Sequence, residues 1–233
     1  MEPQEVEVTA QSLSERLNWL RAGVLGANDG IVSTAGLVFG VGGATSDPVA
    51  VLVAGLAGMV AGALSMAGGE YVSVSSQRDI EKNAAVLHAK QLDEHPESFR
   101  QEVVEGYLES GLSQELAEKA VAELDEEGLH KQALREIGID ADALVSPWIA
   151  ARASLLSFIA GAAIPLIALV ASPLSIRLVI TSIAVLVALV LTGWISARLS
   201  GVGVVRPILR NAVVGSAAMG LTYLVGSAIG TMI

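Results

Sequence analysis

The chain contains no cysteine. Disulfides and thiolate metal sites are therefore excluded, and cysteine usage gives no reading of the redox compartment. Charge is scarce as well. Only 16% of the 233 residues are charged and 4% are aromatic, whereas 52% are hydrophobic. A soluble domain of this size carries about 25% charge, so the balance points to a membrane protein. A phosphate-binding Walker loop, a dinucleotide fingerprint and a credible Ser/His/Asp set are all missing, and the glycines at 40–43 and 201–207 read as turns. No enzymatic activity is expected. The N-terminal stretch MEPQEVEVTAQSLSERLN is polar and acidic and lacks the basic n-region and cleavage site of a signal peptide, so residues 22–41 are expected to be a retained helix.

The charge that is present is unevenly placed. Residues 77–147 hold 17 Asp/Glu and 7 Lys/Arg, which accounts for the whole net charge of -10, and they also hold all three histidines, His88, His95 and His130. Such an acidic segment repels nucleic acid and anionic lipid and attracts cations.

Five stretches, near 22–41, 49–73, 151–171, 176–197 and 207–231, are apolar and long enough to span a bilayer, which takes about 20 helical residues. Arg16, Arg21, the basic residues of the acidic segment, Arg152, Arg198, Arg206 and Arg210 fall on one side of that layout, and Arg177 alone falls on the other. The positive-inside rule then makes the N-terminus and the acidic segment cytoplasmic and the C-terminus external. Trp19, Tyr71, Trp148 and Trp194 come at the cytoplasmic ends, where interfacial aromatics belong. The expected fold is an all-α membrane protein with five transmembrane helices and a small cytoplasmic helical domain between spans two and three. The domains are residues 1–76, 77–147 and 148–233.

Within the acidic segment the second span is expected to continue to about Glu94, where His95-Pro96 breaks it. A helix from Glu97 stops at Gly111, one capped by Ser113 runs to Gly128, and a short one covers 129–137. Phe99, Val103 and Tyr107 form one apolar stripe, and Leu116, Ala120 and Leu124 another. Ser146-Pro147 opens the third span.

Three constellations could carry chemistry. In GANDGIVSTAG, residues 26–36, Asp29 is a lone carboxylate inside the first span. A charge near a helix centre costs roughly 2.5–3.5 kcal/mol on the insertion scale, and such residues normally face a bundle interior or a water path. Gly26, Ser33, Gly36 and Gly40, on or near the same face, permit close helix approach. In the second span Met59, Met66, Glu70, Ser73 and Gln77 share a helix face. A thioether beside a carboxylate suits a borderline ion such as Fe²⁺ or Mn²⁺, although methionine also serves as core filler. In the acidic segment Glu102, Glu105 and Glu109 make a carboxylate stripe, which is either a solvated face or a cation site. Glu81, His88 and His95 recur at seven-residue intervals. Glu127-Gly-Leu-His130 has the Glu-x-x-His spacing of di-iron bundles, but that chemistry needs two such motifs on four long helices, so it is rejected.

ANDGIVSTAGLVFGVGGA in the first span and AGLAGMVAGALSMAGGEYVSVSSQRDIE in the second resemble the vacuolar iron transporter family. The likeness is richest over residues 20–82 and extends through the five-span layout. It implies a homodimer that exports Fe²⁺, and often Mn²⁺ or related ions (Co²⁺, Zn²⁺), from the cytoplasm in exchange for protons, with no permanently bound cofactor. It also implies a path through Asp29, Met66 and Glu70. The inserted domain of such proteins is a metal-binding bundle with two Glu-x-x-Glu pairs, a Met-Met pair and a later glutamate. Glu102 and Glu105 keep one pair. The other is half kept, with Gln91 in place of a glutamate ahead of Glu94. Glu136 matches the late glutamate, and Gln132 and Ala133 stand where the methionines are missing. His88, His95 or His130 could compensate. The leading expectation is a proton-coupled divalent-metal exporter, in a prokaryotic plasma membrane or, in a eukaryote, a vacuolar one. The alternative is a membrane-anchored metal-binding or sensing protein without transport.

Overall fold

A computed structural model describes residues 3–136 and 146–232, with side chains over 23–135 and 146–232. The side chains of Arg16, Trp19, Arg21 and Glu136, and the expected end of the short helix at residue 137, lie outside these described residues. The elements are α1 (Pro3–Ala44), α2 (Pro48–Glu94), α3 (Pro96–Glu109), α4 (Gln114–Glu123), α5 (Glu126–Glu136), α6 (Pro147–Ala171), α7 (Arg177–Leu199) and α8 (Val205–Gly230). Five of them, α1, α2, α6, α7 and α8, contain segments long and apolar enough to cross a membrane. The chain is an all-α integral membrane protein with α3–α5 inserted between its second and third membrane helices. It divides into two compact units, Met1–Val72 with Pro147–Ile233, and Ser73–Ser146.

Proline and glycine set many of the ends. Pro48, Pro96 and Pro147 open α2, α3 and α6, where a missing N–H costs nothing. Asp47 accepts from the Val49 N–H at 2.9 Å and so caps α2. Gly111 (φ +97°) and Gly201 (φ +65°) take the left-handed conformation that ends α3 and α7. The connections 172–176 and 200–204 are short, so α6, α7 and α8 alternate in direction, and Trp148, the end of α7 and the start of α8 share one end of the unit.

In the membrane unit α1 is the central element, packed on α6, α7 and α8. Ile31, Ala35, Val38 and Phe39 join Val185, Ala188 and Leu189 of α7, Leu166 and Leu169 of α6 and Met219 of α8 in one core. Glycine brings backbones into contact. A Cβ on Gly161 would fall on the Ala27 carbonyl, one on Gly226 on the Gly40 carbonyl, and one on Gly230 on the Ala44 carbonyl. Small residues permit this approach, and packing drives helix association in lipid. The contacts of α2 differ in kind: its Gly55, Gly58 and Gly62 face only the side chains of Leu166 and Val38, Leu37, and Phe158. Pro165, buried inside α6, frees the Gly161 carbonyl of its intrahelical bond.

The inserted unit packs α3 against α4 and α5. Its core is Phe99, Val103, Val104, Ala117, Val121, Leu129 and Ala133, with Tyr107, Leu108 and Leu124 partly buried against it. The stripe on α3 is the expected one. On α4 the inward residues are Ala117 and Val121; of the expected stripe Leu124 packs against the core and Leu116 is 58% exposed. Gly128 does not end α4. That helix stops at Glu123, and Asp125 caps the next by accepting from the Gly128 N–H at 2.7 Å. Ser113 has the extended backbone of an N-cap but makes no side-chain capping bond.

Two substitutions test this packing. Gly161→Leu drives a side chain into the α1 backbone and is expected to destabilise the membrane unit by at least the roughly 1–3 kcal/mol of an overpacked core, read from unfolding in detergent. Phe99→Ala is expected to cost the inserted unit about 3–5 kcal/mol. Amide exchange along α3–α5 would rise and exchange in α6–α8 would not.

Candidate metal pathway

Asp29 lies on α1 and is exposed. It belongs to a stripe repeating every four residues, Leu25, Asp29, Ser33 and Leu37, all of them exposed, which faces away from the core formed with α6, α7 and α8. The expectation of a bundle-facing carboxylate is therefore not met within one chain. Ser33 Oγ donates to the Asp29 main-chain carbonyl and lies 3.5 Å from Asp29 Oδ1. Next to it, Asn28 is half-buried, and its buried Oδ1 has no hydrogen-bond partner. The small residues divide between neighbours: Gly26 and Gly30 admit α6, whereas Gly36 and Gly40 lie against Thr222 of α8.

Phe158 of α6, which is 1% exposed, ties the site together. A Cβ on Gly30 would fall on its carbonyl, and its ring closes on Gly62 of α2. Val38 against Gly55 and Leu37 against Gly58 continue an antiparallel register between α1 and α2. That register sets Ala63 at the height of Asp29. Met66 then lies about one turn and Glu70 about two turns nearer the Trp148 end, roughly 5 and 10 Å at 1.5 Å per residue. Met66 is half-buried against the cluster of Ala63, Phe158 and Ala162. Met59 packs on both this cluster and the main core. Glu70 is half-buried, with no hydrogen bond or ion pair among the described residues. Its neighbour Tyr71 meets the Trp148 ring at 4.8 Å between centroids. The three candidates therefore descend like rungs from the interior to the aromatic level. Sequence reading missed Phe158, the residue that fixes this register. The small residues that let its backbone reach α1, Gly30 and Gly161, are the available signal.

The inserted unit keeps its candidates apart. Glu94 pairs with Lys90 at 3.6 Å, and Glu105 accepts from Gln101 at 3.3 Å. Glu102 and Gln91 are exposed, and His95 is exposed at the start of α3. Glu81 accepts from Gln77 at 2.9 Å. His88 is half-buried with its ring edge toward Phe99, 6.0 Å between centroids. The Nδ1 atoms of His88 and His130 are buried and unpartnered. Glu127 pairs with Lys131 at 2.9 Å. Among the described residues no three His, Asp or Glu side chains gather closely enough to hold a metal ion.

The VIT family model matches residues 20–227. The chain is 38% identical to the vacuolar iron transporter homolog 2 of Arabidopsis thaliana over 227 residues, covering 95% of this chain and 92% of that protein. It is 41% identical over 209 residues to the vacuolar iron transporter homolog 1 of Oryza sativa subsp. japonica, covering 89% and 72%. It is 36% identical over 211 residues to the vacuolar iron transporter of Acanthamoeba castellanii, covering 89% and 77%. A match along nearly the whole chain, on five membrane helices with a carboxylate, a thioether and a second carboxylate stepped along two of them, leads to one conclusion: the chain belongs to the VIT family, the vacuolar iron transporters.

Proposed function

We propose that the protein exports Fe²⁺, and also Mn²⁺, from the cytoplasm in exchange for protons, working as a homodimer. The observation that carries this reading is the position of Asp29: an exposed carboxylate well inside a membrane helix, on a face turned away from α6, α7 and α8. Exposure to lipid there is costly. A second copy laid along the α1–α2 face would enclose Asp29, Met66 and Glu70 and supply a symmetry-related set. Carboxylates and thioethers together suit ions of intermediate softness. The steps of roughly 5 Å between rungs let an ion exchange hydration water for protein ligands one position at a time. A carboxylate oxygen that takes up a proton gives up its metal, which couples the two fluxes. The acidic inserted unit, on the cytoplasmic side, would raise the local cation concentration, with Glu94, Glu102, Glu105 and Glu136 as its proposed ligands.

Flux of Fe²⁺ and Mn²⁺ into proteoliposomes under an imposed pH gradient tests the reading. Asp29→Asn keeps size and removes the charge. It is expected to cost at least the roughly 10–100-fold that loss of a mere supporting group costs a metal site, and full flux in this variant would end the proposal. Met66→Leu conserves volume against Phe158 and removes only the sulfur, so Fe²⁺ flux is expected to fall more than Mn²⁺ flux. Equal losses would make Met66 packing alone.

A further inference from the structure

Residues 147–233 contain five arginines, Arg152, Arg177, Arg198, Arg206 and Arg210, but no lysine, aspartate or glutamate. Only Arg177 stands at the opposite end, at the start of α7. The other four lie at the Trp148 end and are exposed. None of the four makes an ion pair with a carboxylate of the described residues. Arg198 lies over the Trp194 ring, 5.5 Å from its centroid.

The depth of these groups can be read from the α7–α8 contact. Gly193 packs on the backbone of Pro207 and Ile208, where an added Cβ would come within 2.8 Å of the Ile208 Cα. Trp194 therefore shares the height of Ile208. Arg206 and Arg210, one turn apart on a single face of α8, lie on either side of that height by about 3 Å. Leu191, Leu199, Val205 and Leu209 are exposed around them. Indoles mark the headgroup level, and an arginine just beneath it extends its guanidinium outward along its apolar stem. A water-soluble partner would have to enter the headgroup layer to reach these charges, whereas lipid phosphates are already there and accept the two-pronged guanidinium bond.

We infer that Arg198, Arg206 and Arg210, at the α7–α8 end, form an interaction surface for the phosphate groups of anionic phospholipids. The test uses the full-length protein with Trp19→Phe and Trp148→Phe, which leaves Trp194 as the only indole. It is reconstituted in phosphatidylcholine with either brominated phosphatidylglycerol or brominated phosphatidylcholine. Quenching of Trp194 then gives the relative binding constant of the two lipids at this surface. Each arginine near a charged headgroup layer is worth about fivefold, so phosphatidylglycerol is expected to be preferred by that factor or more. Arg198→Gln, Arg206→Gln and Arg210→Gln together are expected to bring the ratio close to unity. Arg206→Lys with Arg210→Lys is expected to keep most of the preference, and Arg177→Gln at the other end to keep all of it. A ratio near unity in the parent protein would overturn the inference, and so would a ratio that survives the triple glutamine variant. Loss of the preference in millimolar inorganic phosphate, with vesicle charge and ionic strength held constant, would assign the surface to free phosphate and overturn it as well.

Discussion

Contact between the backbones of α1, α6 and α8 is the constraint on which the membrane unit depends. Lipid tails are as apolar as leucine, so helices gain little from hiding side chains and gain most from fitting closely. Gly161 against Ala27, Gly226 against Gly40 and Gly230 against Ala44 supply that fit. They fix α1 from near Gly26 to its end, and with it the height of Asp29. The polar cost of α1 is then carried by a helix that cannot shift to relieve it. Ser33, one turn on, turns its hydroxyl back to the Asp29 carbonyl rather than out to the medium.

Much of this was legible in the sequence. Span lengths, the break at His95-Pro96, the opening of the third span at Pro147 and the stop at Gly111 are local signals, and they hold. The Phe99 and Val103 stripe is also local and correct. The α4 stripe was misread at Leu116, which is exposed while Ala117 and Val121 face the core, because periodicity alone does not choose between adjacent faces. Contact with Val103 and Phe99 decides the matter, and that contact is tertiary. Gly128 was misread as a stop for a related reason: Asp125, three residues earlier, turns the same glycine into the first turn of α5.

The candidate pathway was legible as residue types and not as a surface. Asp29, Met66 and Glu70 are conspicuous because charges and a thioether interrupt apolar or small-residue runs. Their spacing along the membrane depends on Phe158, which lies more than eighty positions away and looks like any apolar residue of α6. The direction that Asp29 faces was not legible either. Helical periodicity places residues on a common face, but which face the neighbours take is set by where the glycines let them approach.

The side-chain contacts of α2 give the unit a mechanical asymmetry. Displacing α1 along α6 would force backbone through backbone, a hard barrier. Displacing α2 meets side chains instead, those of Leu37, Val38, Leu166 and the Phe158 ring. Met66 and Glu70 thus sit on the helix held by side chains, and Asp29 on the one held by backbone contacts. The distance between the rungs is therefore held by side-chain contacts, where the position of α1 is held by backbone.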